Sequence, residues 1–162
     1  MRITEMNGLE CRELLARQAM GRLACARENQ PYIVPIYFAA EADCLYGFAT
    51  FGQKIEWMRS NPLVCVQADE IRGPSEWKSV VVLGRYEELS DEASHQQARK
   101  RAIGLLARRD AWWQGAYAAD QLRKNTGDPF PVVFCVHVTD ITGHRSDPDA
   151  EQMAVDAPQK NR

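Results

Sequence analysis

The spacing of apolar and polar positions changes several times along this chain. In "NGLECRELLARQ", Leu9, Cys11, Leu14, Leu15 and Ala16 fall on one helical stripe and charges fill the remainder, which predicts an opening helix closed at Gly21. The period then shortens. "RLACA" (22–26), "YIVPIYFA" (32–39) and "CLYGFA" (44–49) are strand candidates separated by the polar turns "RENQP" and "AEAD", a spacing that predicts antiparallel hairpins. A short helix is expected from Lys54 to Asn61, stopped by Pro62. "LVCVQA" (63–68) predicts a strand, "DEIRGPSE" (69–76) a loop, and "WKSVVVLGRYEEL" (77–89) a long strand with Gly84 as a bulge or close-approach point. Ser90 and Asp91 read as the cap of a helix reaching Arg109, with Ala98, Ala102, Leu105 and Leu106 at helical spacing. An aromatic-rich stretch follows, and "VVFCVHVTDI" (132–141) predicts the last strand.

These are six strand candidates, several apolar on both faces. That pattern suits a closed or nearly closed barrel whose outside is covered by helices or by another subunit. A sheet with one wet face would alternate more cleanly. The expected organisation is one mainly β domain with flanking helices over residues 1–146, then a polar tail over 147–162.

The 162 residues, 45% of them hydrophobic, are enough for one domain with a real core. A net charge of -2 gives no footprint for nucleic acid or a membrane surface. No apolar run is long enough to span a bilayer, and "MRITEMNGLECRELL" lacks the apolar stretch of a signal peptide. Five cysteines stand far apart without a C-x-x-C, and Cys25, Cys65 and Cys135 lie within apolar runs. They read as small buried hydrophobes rather than a zinc or disulfide framework, and a reducing cytoplasm fits. His95, His137 and His144 show no paired-ligand spacing, so no metal site is expected. His137, within an apolar run, reads as a core or interface residue.

Two stretches bear on chemistry. In "ATFGQKIEWMRSNP", Lys54 stands at the start of a helix, where the dipole favours anions over cations. Backbone N–H groups at such a corner, with Thr50, Gln53 and Lys54, can cradle a phosphate. The residues equally allow Thr50 to cap the helix while Lys54 points to water. In "IVPIY", Pro35 cannot donate a ladder bond and belongs at an edge, a bulge or beside a ligand. The backbone of Val34 and Ile36 would then be free to bond a flat heterocycle; an ordinary edge strand is the alternative.

Taken in order, "GRLA", "PYIVPIYF", "LYGFA", the G-x-K corner, the helix ending in Asn-Pro, "KSVVVLGRYEELSD" and "VFCVHVTDITGHR" resemble the pyridoxamine 5′-phosphate oxidase-like superfamily of FMN-binding split barrels, over about residues 8–146. The nearest branch holds the flavin-nucleotide-binding proteins and the nitroimidazole-resistance reductases. The resemblance implies a six-stranded antiparallel split β-barrel and a homodimer with FMN, rather than FAD, in clefts at the interface. It implies that Lys54 binds the phosphate with Thr50 and Gln53, and that Val34, Pro35, Ile36 and Tyr37 run along the flavin ring. It further implies that Trp77, Lys78 and Ser79 approach the flavin. Trp112 and Trp113 read as core or subunit interface, with a lid over the flavin ring as the alternative.

The implied function is an FMN-dependent oxidoreductase in the cytoplasm, passing electrons from a nicotinamide donor to a small planar or electron-poor substrate. No catalytic acid or base is identified. The alternatives are a flavin carrier or sensor without turnover, and a barrel binding haem or a deazaflavin. Two departures matter. The nitroimidazole-reductase branch carries a histidine a few residues before the G-x-K corner, where this chain has Gly47. The Ser-Arg pair that the vitamin-oxidase branch places before its lysine is missing, so pyridoxal phosphate synthesis is not expected.

Overall fold

The computed structural model describes residues 1–109 and 132–147. Strands β1 (Arg2–Glu5), β2 (Met20–Arg27), β3 (Gln30–Glu41), β4 (Cys44–Ala49), β5 (Leu63–Gly73), β6 (Glu76–Glu88) and β7 (Val132–Asp147) are joined by helices α1 (Gly8–Arg17), α2 (Gln53–Ser60) and α3 (Gln96–Ala107). The order is β1-β7-β4-β3-β2-β5-β6, and β6 also pairs with β7. Six strands therefore close a ring, the expected barrel, and β1 is an added seventh strand on the outer flank of β7.

Local chemistry sets the corners. Glu28 and Asn29 both have positive φ, 51° and 64°, which makes the β2–β3 connection a two-residue turn whose twist matches the strands. Asn7 begins α1 with a reciprocal capping box: its side chain accepts from the Glu10 N–H, and Glu10 accepts from the Asn7 N–H. Inside the barrel, Leu23, Phe38, Val66, Val80, Val82, Phe134 and Val136 are fully buried. Leu14 and Leu15 from α1 and Ile55 and Met58 from α2 join this core. A second cluster on the outer face unites Val133 and Cys135 of β7 with Leu89 and Ala102, flanked by Tyr46 and Phe48 of β4 and Ala98 of α3. The two-faced apolar pattern of these strands is thus answered by a helix.

Several expectations need correction. The stretch 69–76 is no loop: β5 runs on to Gly73 and β6 begins at Glu76. Gly21 lies within β2, and α1 already ends at Arg17. Ser90 does not cap α3 directly; its hydroxyl bonds His95, which precedes Gln96. Cys44 and Cys135 form a disulfide across 91 residues, so the cysteines are not all isolated hydrophobes, and the inference of a reducing compartment loses its support. His137 is exposed, which removes the core half of its core-or-interface reading. β7 reaches Asp147, where the tail was expected to begin.

Gly84 behaves as expected. The β6–β7 register shifts between Leu83 and Gly84. A Cβ at Gly84 would lie 2.5 Å from Val136 Cγ1 and 2.7 Å from the His137 carbonyl oxygen. Backbone cannot step aside cheaply, so Gly84→Ala should lower stability by about 1–3 kcal/mol, read as a lower urea midpoint.

Candidate functional site

β3 has a different partner along each half. Residues 30–37 pair with β2, and residues 38–41 pair with β4. The last β3–β4 pair is Phe38 with Gly47; beyond it, β4 follows β7 to Ala49 while β3 follows β2. The two strands part there, and the gap lies between the edge of β3 that no described strand pairs with and the corner that leads from β4 into α2.

The orientation of that edge follows from one bond. Phe38 donates its N–H to the Ala19 carbonyl at 3.0 Å, continuing the register in which Gly21 faces Ile36 and Leu23 faces Val34. Backbone groups of successive residues point to opposite sides of a strand. Val34 and Ile36 therefore turn towards β2, as Phe38 does, and Ile33 and Pro35 turn away from it. This corrects the expectation that the backbone of Val34 and Ile36 is free. Pro35 stands where a missing N–H costs no ladder bond, because no described strand pairs with that side. Its side chain is exposed, Val34 and Tyr37 are half-buried, and Ile36 belongs to the core.

Across the cleft, α2 starts without a side-chain cap. Gly52 is its first flanking residue, in extended backbone, and the first bond within the helix runs from the Glu56 N–H to the Gly52 carbonyl. Thr50 does not cap it. The N–H groups ahead of Glu56 have no partner within the helix, an arrangement that suits an anion. Gln53 is exposed, and Thr50 and Lys54 are half-buried. Burial pushes the Lys54 ammonium below the ordinary lysine pKa, opposed only by the Cys25 thiol. Among the described residues no carboxylate pairs with Lys54.

The far end of α2 is pinned. Arg59 donates to both carboxylate oxygens of Glu88, at 2.7 and 2.8 Å, and its guanidinium lies 5.1 Å from the centre of the Phe51 ring. The Asn61 side-chain amide donates to the Ala26 carbonyl at 3.0 Å. These contacts fix the corner carrying Lys54 relative to β2 and β6.

The remaining site residues divide. Ser79 accepts from Gln67 Nε2 at 3.1 Å. Gln67 also donates to Asp69, and Arg22 donates to both Gln67 and Asp69. Arg22 faces Pro35 across the β2–β3 ladder, so this polar cluster lies one strand in from the open edge of β3. Sequence reasoning missed Arg22, Gln67 and Asp69; the polar period of two at Gln67 and Asp69 was the available signal. Trp77 and Lys78 lie elsewhere, in a shallow cleft with Glu70, Arg72, Ser146 and Asp147. Trp77 is six residues along β6 from Leu83, the residue level with Cys65 and so with the Lys54 end of the sheet, on the order of 20 Å away. Within one chain they do not join Lys54. Trp112 and Trp113 fall outside the described residues.

A closed six-stranded barrel, split beside a helix start that carries a half-buried lysine, defines a class of ligand-binding split barrels. Residues 8–145 match the family described as pyridoxamine 5′-phosphate oxidase, and the chain belongs to that family. It is 40% identical over 143 residues to an uncharacterised protein of Rhizobium meliloti (strain 1021), covering 88% of this chain and 95% of that one. It is similar to the crystal structure of a FAD-binding protein from Mesorhizobium loti, with a TM-score of 0.75 and 38% identity over 91% of this chain and 99% of that chain. The FAD-binding protein of Mycobacterium smegmatis shares the fold, with a TM-score of 0.60 and 23% identity over 89% of this chain and all of its own, 100%.

Gly47 is explained by the core. A Cβ there would lie 2.5 Å from the Phe134 ring, so the position has no room for a histidine. No helix among the described residues is long and apolar enough to cross a membrane.

A lysine buried without a counter-charge destabilises the free protein. Lys54→Met keeps the aliphatic stem and removes the charge. The ligand-free variant should melt at or above the wild-type temperature, a result that calorimetry of the two proteins will show.

Proposed function

We propose that this protein binds a flavin nucleotide in the cleft between β3 and α2 and works as a flavin-dependent oxidoreductase. The observation that carries the reading is Lys54: half-buried, at an uncapped helix start, beside an open strand edge, with no described carboxylate partner. A phosphate supplies the missing charge and accepts the free N–H groups of the corner. Thr50 and Gln53 stand beside it to add a hydroxyl and an amide. The edge of Ile33 and Pro35, with Tyr37 next to them, offers backbone groups and an apolar surface to a flat ring. FMN and FAD share the phosphate that this corner would hold. The resemblance of the sequence favours FMN; the names of the two solved relatives favour FAD.

The bound flavin would supply two-electron chemistry with a nicotinamide donor and a small planar or electron-poor acceptor. This chain's part is to bind, orient and shield: Lys54 anchors one end, the β3 edge aligns the ring, and Arg22 with Asp69 and Ser79 places a polar cluster alongside. Apolar residues exposed around the cleft, Ile33 at 62% and Phe51 at 66%, support a homodimer that covers it. One observation favours a second reading, a flavin carrier without turnover: Phe134 fills the place where the reductase branch has its histidine.

The test is a titration of the purified full chain with FMN and with FAD, followed by absorbance and fluorescence, then by oxidation of a reduced nicotinamide. Wild type should retain flavin through desalting. Lys54→Met should bind at least tenfold more weakly, the loss of a charge-assisted contact of about 1.5–3 kcal/mol. Wild-type affinity should fall as pH rises through the lowered Lys54 pKa, since only the protonated amine attracts phosphate. Pro35→Glu should weaken flavin binding tenfold or more while its unfolding free energy from urea titration stays within about 0.5 kcal/mol of wild type. Equal flavin affinity in Lys54→Met would remove the phosphate reading; flavin binding without nicotinamide oxidation would leave the carrier.

A further inference from the structure

Cys44, Cys135 and His137 meet on the outer face of the barrel, at the opposite end of β4 from the Thr50 corner. The register explains why. Cys44 faces His137 directly across the β4–β7 ladder, and Cys135 lies two residues before His137 on the same face. One ligand atom from each, two sulfurs and one imidazole nitrogen, lie within 4.8 Å of one another. His137 is oriented for a further role. Its Nδ1 is 3.7 Å from Cys44 Sγ, and its Nε2 bonds the Glu87 carboxylate. Glu87 also pairs with His95 Nε2 at 3.4 Å, and His95 Nδ1 is held by the Ser90 hydroxyl at 2.9 Å.

We infer that the reduced form of this cluster is a binding site for a zinc-type divalent cation, ligated by the Cys44 and Cys135 thiolates and His137 Nδ1. Two sulfurs and one imidazole are a donor set that selects a borderline-soft, tetrahedral cation, and three protein ligands leave a fourth position open. A carboxylate on the outer nitrogen of a metal-ligating histidine fixes its tautomer and ring angle, which is what Glu87 is placed to do. His137 is exposed, Cys44 half-buried and Cys135 buried, so a cation has a route in and a closed floor beneath it.

The disulfide and the metal form exclude each other. A dithiol reductant passes two electrons and two protons to the Cys44–Cys135 bond, becomes a disulfide itself and leaves two thiols. The cation then displaces both thiol protons to solvent. Metal binding is therefore gated by redox state, independently of the flavin cleft.

The test uses the full chain and Co²⁺ as the probe, with Zn²⁺ as competitor. After reduction by a phosphine, which takes up the oxygen of a water molecule as the disulfide becomes two thiols, the protein should bind one Co²⁺ with thiolate charge-transfer bands that Zn²⁺ abolishes. The oxidised protein should show none. Cys44→Ser should remove the bands, His137→Ala should weaken binding at least tenfold, and Glu87→Gln should weaken it by about 10–100-fold. Cys65→Ser, outside the cluster, and Lys54→Met should leave the spectrum unchanged, which separates this site from the flavin reading. Failure of the folded protein to reduce, absence of the bands after reduction, or wild-type cobalt affinity in His137→Ala would each overturn the assignment. His137 is exposed on the surface, so that variant decides the matter even if Cys44→Ser does not fold.

Discussion

β3 cannot satisfy both of its neighbours along its whole length. Its first half bonds β2 and its second half bonds β4, and the change of partner at Phe38 is what opens the barrel. Closure elsewhere is firm: β6 and β7 pair over most of their length and complete the ring. A barrel with one parted seam has a rigid frame and, in the same molecule, a strand edge that no described strand pairs with. The edge carries Pro35 where no N–H is needed, and α2 starts on the facing side. The parted seam proposed to hold the flavin is thus a consequence of how six strands are shared out.

The placement of charge follows the same frame. α2 buries Ile55 and Met58 in the core, and Arg59 and Asn61 tie its far end to β6 and β2. With the helix held there, the stem of Lys54 is drawn beside Cys25, where its ammonium loses water without gaining a described carboxylate. That arrangement is unfavourable for the empty protein and favourable for an anion. Sites that bind tightly often hold such stored cost, because the ligand relieves it on arrival.

At the other end of β4, the outer face carries chemistry that the inner face does not. α3 and Leu89 cover the apolar part of that face, and the cysteine pair lies at its margin beside His137 and Glu87. Inner and outer faces of the same two strands therefore serve the core and a titratable cluster, separated only by the alternation of side chains.

The barrel class, four of its six strands nearly to their limits, the α2 corner and the bulge at Gly84 were legible from local pattern alone. Periodicity reports which face of an element is apolar, and turn residues report where it ends; both are properties of neighbouring residues in the chain. What lay beyond reach depended on which strands become neighbours in space. β1 is too short and too polar to announce itself and exists because β7 extends far enough to pair with it. The turn of Val34 and Ile36 towards β2 followed from a bond between Phe38 and Ala19. The separation of Trp77 and Lys78 from Lys54, the Arg22 cluster, the clash that forbids a side chain at Gly47, and the meeting of Cys44 with Cys135 are all matters of register between distant segments. Sequence determined the elements and their faces, and only the closed barrel, by fixing register, decided which residues meet.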